Sequence, residues 1–204
     1  HVPGTQYAYS NFGYCVLGLI IEAVTGQPYE QWIRANLFLP IQANSIQVTD
    51  ALLGQQRPGE VPYWDGYQRT ALCVLGPTAP VITPVQYGGW NHRTLKSCGG
   101  QVASAIDIAR FLTAFDDPSS SPLLSEQTID LMWSRPPEIP PTDMFYSAAG
   151  WTIATLPSSN LLSASGSGGT VGTATWMVRR YDGVDWVALF NTFDVVGVPS
   201  MSDI

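Results

Sequence analysis

The chain has 204 residues, of which 45% are hydrophobic and 12% charged, about half the roughly 25% charged share of an average soluble domain. That composition excludes a disordered or coiled-coil protein, and a chain this long can bury on the order of 70% of its unfolded surface, enough for one domain or most of one. Nine basic against sixteen acidic residues give a formal charge of −7, with Lys96 the single lysine, so nucleic acid is not an expected partner.

The longest apolar run, Cys15 to Ile21, ends at Glu22 and is far short of the ~20 residues a membrane span needs. The three cysteines (Cys15, Cys73, Cys98) form no CxxC, and the two histidines are His1 and His92. This set predicts no metal site, and no cofactor is expected. Cys15 reads as a small core residue in a helix, while Cys73 and Cys98 flank a Gly/Pro-rich stretch and could pair. His1 to Thr5 carries neither a start methionine nor a signal-peptide pattern, and Pro199 to Ile204 follows a strand-like run directly, so both ends read as cut.

Phe12, Val16, Leu17, Leu19, Ile20, Ile21 and Val24 recur at helical spacing and predict a helix over 11–24 with a broad buried face, stopped by Gly26 and Pro28. A second short helix is expected over 29–37, with Trp32, Ile33 and Leu37 as its stripe and Pro40 closing it, the two packing as a hairpin. Residues 54–91 are rich in Gly, Pro and aromatics (Tyr63, Trp64, Tyr67, Tyr87, Trp90) and predict a long loop region. It either walls a pocket or covers a core edge.

Ser104, with Asp107 three residues on, opens a helix to about Phe115 in the manner of a capping box. Ser125 opens another through Ile129, Leu131 and Met132, ended by Pro136-Pro137. Strands are expected over 150–156, 161–165, 173–180 and 185–192, separated by Pro157-Ser158-Ser159-Asn160, a Gly-rich segment, and the turn Tyr181-Asp182-Gly183. Helices over about 11–135 followed by antiparallel strands over about 150–192 make the fold class α+β.

Three segments carry candidate chemistry. In Tyr9-Ser10-Asn11, just before the apolar helix, a phenol and an amide two residues apart can project into one cleft, although Ser10 or Asn11 can equally cap the helix over a packed Tyr9. Cys98-Gly99-Gly100 before the Ser104 helix permits a close backbone approach. Gly166-Ser167-Gly168-Gly169-Thr170-Val171-Gly172-Thr173 lies between two strands. Exposed N–H groups there could stabilise an oxyanion and Ser167 could bond a substrate, or the run is a flexible hairpin loop. It is neither a phosphate loop nor a dinucleotide fingerprint.

In this order the segments resemble the serine β-lactamase, penicillin-binding protein and serine esterase family, particularly the branch with AmpC-type enzymes, D-aminopeptidases and β-lactamase-like esterases. The most specific part is Pro3-Gly4-Thr5 through Tyr9-Ser10-Asn11, Gly13-Tyr14, Leu17-Gly18, Ile20-Ile21-Glu22 and Thr25-Gly26-Gln27-Pro28-Tyr29. Gly99-Gly100 with Asp107-Ile108-Ala109-Arg110-Phe111 resembles its glycine-led helix. Gly172-Thr173 with Val178-Arg179-Arg180, Asp182-Gly183 and Phe190-Asn191-Thr192 resembles its last strands.

The resemblance implies a β-lactamase/transpeptidase-like fold, spanned by residues 1–204 as a partial domain incomplete at both ends. It also implies acyl transfer through a serine ester, the nucleophile and a lysine standing in an S-x-x-K motif. By it Tyr9 shares in acid/base catalysis, Asn11 holds the acyl side chain's amide, and Ser167 and Gly168 belong to the third motif beside the oxyanion hole. Two departures stand out. Glycine at 166, or Ser167 in a shifted alignment, replaces the family's Lys or His, which favours ester-like substrates over β-lactams or peptides. No S-x-x-K exists, since Arg93 stands three residues before Lys96. No Gly-x-Ser-x-Gly elbow replaces it, and His92 reads as a solvent-facing loop residue.

The leading expectation is therefore the C-terminal part of a serine hydrolase whose nucleophile lies on an upstream segment, acting on a small ester, amide or β-lactam-like substrate. The alternative is a noncatalytic binding module with the same fold that uses the aromatics between Tyr63 and Trp90. A carbohydrate-binding β domain fits those aromatics but not the helices.

Overall fold

The computed structural model describes residue 2 and residues 5–76, 81–156 and 161–193. The Pro157 to Asn160 separator, Pro3-Gly4 and the two chain ends lie outside the described residues. Helices α1 (Asn11–Thr25) and α2 (Tyr29–Ile33) come first. α2 continues as one wider turn over Arg34–Phe38, where the Leu39 N–H donates to the Arg34 carbonyl. The second helix is thus split between two windings rather than regular over 29–37.

Ser10 caps α1 by accepting from the Gly13 N–H at 2.9 Å, and Gly26 ends it in the left-handed conformation (φ 68°) with its N–H on the Glu22 carbonyl. Between the helical segments lie short strands: β1 (Gln47–Val48), then β2 (Thr70–Leu72) and β3 (Ile82–Pro84), which pair with each other. β4 (Gln101–Val102) pairs with β1. The 54–91 region is thus a loop with one small hairpin inside it. It covers an edge of the main sheet, since the Trp64 N–H donates to the Asn191 carbonyl and Asn191 Nδ2 to the Pro62 carbonyl, both at 2.8 Å.

Helices α3 (Ala105–Thr113) and α4 (Glu126–Trp133) start at Ser104 and Ser125, whose hydroxyls accept from Asp107 and Thr128 N–H groups. Only half of the capping box forms at α3. The Asp107 carboxylate turns to the Ser45 N–H (2.6 Å) and Arg110 (2.7 Å), and Ser45 Oγ accepts from the Ser104 N–H instead.

The chain ends as an antiparallel meander, β5 (Phe145–Ser147), β6 (Thr152–Thr155), β7 (Leu162–Thr170), β8 (Thr173–Arg179) and β9 (Asp185–Phe190), each pairing with the next. The architecture is α+β. The core lies between the helices and this sheet: Leu112, Ile129, Ile153 and Ala164 are fully enclosed. Phe115, Trp133 and Trp151 pack edge-on or tilted with centroids 5.6–6.1 Å apart. Burial of such apolar side chains supplies most of the stabilisation.

Two expectations are corrected by this framework. The Gly-rich run is not a flexible loop: β7 continues through Gly166, Ser167, Gly168 and Gly169 to Thr170, in register with β8 (Gly166 opposite Met177, Ser167 opposite Trp176). Neighbouring side chains fill the missing volume, for a Cβ on Gly166 would lie 2.6 Å from Met177 Cε and one on Gly169 would collide with Phe193. The second correction concerns α1. Its broad apolar face is not buried: Phe12 and Val24 are each 79% exposed, Leu17, Leu19 and Ile20 are exposed too, and Gly18 alone is buried. Apolar spacing marks a face that favours cover, and nothing among the described residues supplies that cover.

Candidate active site

The N-terminal end of α1 and the edge of β7 form the candidate site. β6 pairs with β7 only from Leu162 to Ser165, whereas β8 follows β7 to Thr170. The turn before β6, where the Ala148 N–H donates to the Trp151 carbonyl and Gly150 takes φ 82°, sets this limit by starting β6 at Thr152. From Gly166 to Thr170, therefore, one edge of β7 has no strand partner among the described residues, and Ser167, Gly168 and Gly169 are exposed. A bare edge presents backbone donors and acceptors to a ligand.

Helix α1 comes down beside that turn. The Tyr14 hydroxyl lies 3.4 Å from where a Cβ on Gly150 would stand, and Tyr14 is one turn from Asn11. Because Ser10 satisfies the cap, its neighbours are released from that duty: Tyr9 Oη donates to Asn11 Oδ1 at 2.8 Å, and Tyr9 is 73% exposed rather than packed beneath the helix. Asn11 Nδ2 donates to nothing among the described residues and is left with two open donors. No hydrogen bond among the described residues joins Tyr9 or Asn11 to Ser167 or Gly168. The structure thus brings the first pair together and sets the second pair on the open strand edge.

The other chemically interesting residues are placed as follows. Gly100 makes the close backbone approach that its motif suggested, for a Cβ there would collide with the His92 carbonyl. His92 is half-buried, not solvent-facing: its Nδ1 is enclosed without a hydrogen-bond partner in the described structure, and burial lowers its pKa against the opposing pull of Glu60 and Asp50. Cys73 and Cys98 do not pair. The Cys73 thiol donates to the Leu75 carbonyl at 2.7 Å, whereas Cys98 Sγ lies 3.4 Å from Cys15 Sγ. Cys15 is accordingly half-exposed against a loop rather than a core residue.

Lys96 donates to Glu22 Oε1 at 2.6 Å, on the α1 turn far from Tyr9. Met177 and the Gly150 turn shape the region with no local sequence signal, because their roles arise from cross-strand and cross-loop neighbours. Among the described residues no group of three or more His, Cys, Asp or Glu could hold a metal, and no helix is long and apolar enough to cross a membrane.

The family model described as Beta-lactamase matches residues 1–199. The chain belongs to the beta-lactamase family. Penicillin-binding protein 4* of Bacillus subtilis is 28% identical over 184 residues, covering 88% of this chain and 38% of the relative. Among solved structures, a D-stereospecific amidohydrolase from Streptomyces sp. matches 94% of this chain and 52% of its own, with TM-score 0.69 and 20% identity. The penicillin-binding protein of Bacillus halodurans gives 0.66 and 19%, over 94% and 53%. At that identity the solved structures establish a β-lactamase/transpeptidase-like fold. This beta-lactamase family chain spans about half the length of these solved relatives.

Proposed function

We propose that this chain supplies the C-terminal half of a serine acyl-transfer hydrolase, with the nucleophile and its lysine on an upstream segment that the chain does not contain. Tyr9 moves the proton during acyl transfer, Asn11 binds the acyl amide or its equivalent through Nδ2, and the bare edge of β7 at Ser167 and Gly168 aligns the substrate and offers a backbone N–H to the oxyanion. The observations that carry this reading are the exposed Tyr9–Asn11 pair at the start of the helix whose Tyr14 reaches the Gly150 turn, and the strand edge that the same turn leaves bare. Support for the upstream segment comes from the absence of S-x-x-K in the sequence, the exposed apolar face of α1, and the half-length match to relatives.

The substrate is a small ester or amide, with esters favoured. Gly166 stands where the family's basic residue is expected, and the Met177 methyl occupies the place its side chain would start from. Position 166 therefore offers no cation to a substrate carboxylate. The same observation favours a second reading, a noncatalytic binding module.

A fluorophosphonate probe separates the two. The 204-residue chain alone should stay unlabelled, and the polypeptide extended by its upstream segment should carry one label outside these residues. Label on a serine within 1–204 overturns the placement of the nucleophile. Absence of label on the extended polypeptide selects the binding module.

A further inference from the structure

Helix α1 meets the 91–100 loop along a narrow seam. Gly18 is its closest point, since a Cβ there would collide with Ser97. Ser97 Oγ donates to the Tyr14 carbonyl at 2.9 Å on one side, and Lys96 Nζ to Glu22 Oε1 at 2.6 Å on the other. Residues 14, 15, 18 and 22 all lie on one helical stripe. Between the two polar anchors stand Cys15 and Cys98, 83 positions apart in sequence, with Sγ atoms 3.4 Å apart. A disulfide needs ~2.05 Å, so the sulfurs have a little over 1 Å to close, and the flanking contacts hold them opposite one another. Both residues are partly exposed.

We propose that Cys15 and Cys98 form a redox site, a thiol pair that a small-molecule disulfide oxidises to a cross-link fixing α1 to the 91–100 loop. The Cys15 thiolate attacks one sulfur of the disulfide RSSR, forming Cys15–S–S–R and expelling RS⁻, which takes up the proton Cys15 gave away. The Cys98 thiol then loses its proton and its sulfur attacks Cys15 Sγ, expelling the second RS⁻, which is protonated in turn. Two protein thiols are oxidised to one disulfide, and RSSR is reduced to two RSH.

This order follows from the environment. Burial, with the neighbouring Cys15 adding to it, pushes the Cys98 thiol up to about 11, which makes Cys98 a slow first attacker and suits it to the second, intramolecular step that the 3.4 Å approach of the two sulfurs favours. Cys73 stays outside the reaction. It is turned toward the Leu75 carbonyl and packs over Gly88, where a Cβ would stand 3.0 Å from its sulfur.

The test is to treat the folded chain with excess oxidised glutathione, quench with acid, alkylate, digest and weigh the peptides. The expected product is one cross-linked peptide pair joining Cys15 and Cys98, two hydrogens lighter than the reduced peptides, with Cys73 alkylated. Tm should rise by roughly 5–15 °C, reversibly with reductant. In Cys98→Ser the reaction should stop at glutathionylated Cys15, and Cys73→Ser should cross-link like the parent. Recovery of Cys15 and Cys98 as alkylated or singly glutathionylated residues in the parent overturns the proposal, as does a link that includes Cys73.

Discussion

Lys96 Nζ sits 2.6 Å from Glu22 Oε1, and Glu22 stands roughly 16 Å along α1 from Asn11 at ~1.5 Å per residue. The sole lysine of the chain is thereby an anchor for the helix and is removed from the Tyr9 site. The Lys96 hydrogen bond, followed by that of the Tyr29 N–H, holds the Glu22 carboxyl below its ordinary 4.5 against the opposing effect of burial. A carboxylate depressed on folding stabilises the fold above its unfolded pKa, and the contribution is lost as pH falls through the lowered value. The Tm gap between the parent and Lys96→Met should therefore be widest near neutrality and shrink below about pH 4.5. A gap that stays constant across a pH series would mean that the ion pair contributes nothing.

For Tyr9, the proposed proton transfer sets the expectation. In the polypeptide that includes the upstream segment, Tyr9→Phe should lower kcat by about 10²–10⁴ and leave Tm within about 1 °C, since the side chain is exposed and its one side-chain hydrogen bond among the described residues is to Asn11. Steady-state kinetics on a chromogenic ester, with a melting curve alongside, read both. Activity within threefold of the parent would take Tyr9 out of the mechanism.

A third expectation concerns the cation missing from β7. Gly166→Lys combined with Met177→Ala places an ammonium at the strand edge and clears the methyl that a Cβ would meet. A charge-assisted hydrogen bond contributes about 1.5–3 kcal/mol, so KM for a carboxylate-bearing ester should fall by about 10–100-fold in the extended polypeptide while that for its neutral methyl ester stays put. Equal changes for both substrates would show that position 166 does not face the substrate.

The core and one turn make a fourth pair of expectations. Ile153→Ala removes a fully enclosed side chain and should cost about 2–5 kcal/mol in a urea melt. Gly172→Ala should cost more than about 1 kcal/mol, because Gly172 holds φ 88° in the β7–β8 turn and its Cβ would press on Gln86 and Tyr63 at 2.9 and 3.1 Å.

What could be read from the sequence was what the chain decides locally. The Phe12 to Val24 spacing with Ser10 before it and Gly26 after it defines α1, Ser104 and Ser125 mark the starts of α3 and α4, and the four strand runs give the meander, though Phe145–Ser147 was too short to be seen. Tyr9 and Asn11 could be singled out because a helix start aims both outward. What could not be read depends on distant neighbours. Glycines are poor strand formers, and only Met177 and Phe193 packing over Gly166 and Gly169 explains why β7 runs straight through them. The partner of Cys98 is fixed by the seam along α1, and the half-burial of His92 by the fold-back of its loop onto Gly100.

That seam has a consequence for local stability. Helix α1 is tied to the rest of the molecule along the stripe of Tyr14, Cys15, Gly18 and Glu22, while its other side carries Phe12, Leu17, Ile20 and Val24 to solvent. A helix secured on one side opens at a low free energy, so its amides exchange with deuterium sooner than those of Leu112 or Ile153 in the core. Covering the bare side would slow exchange along α1 selectively. The protection of this one helix therefore works as a built-in gauge of whether the face beside Tyr9 is occupied.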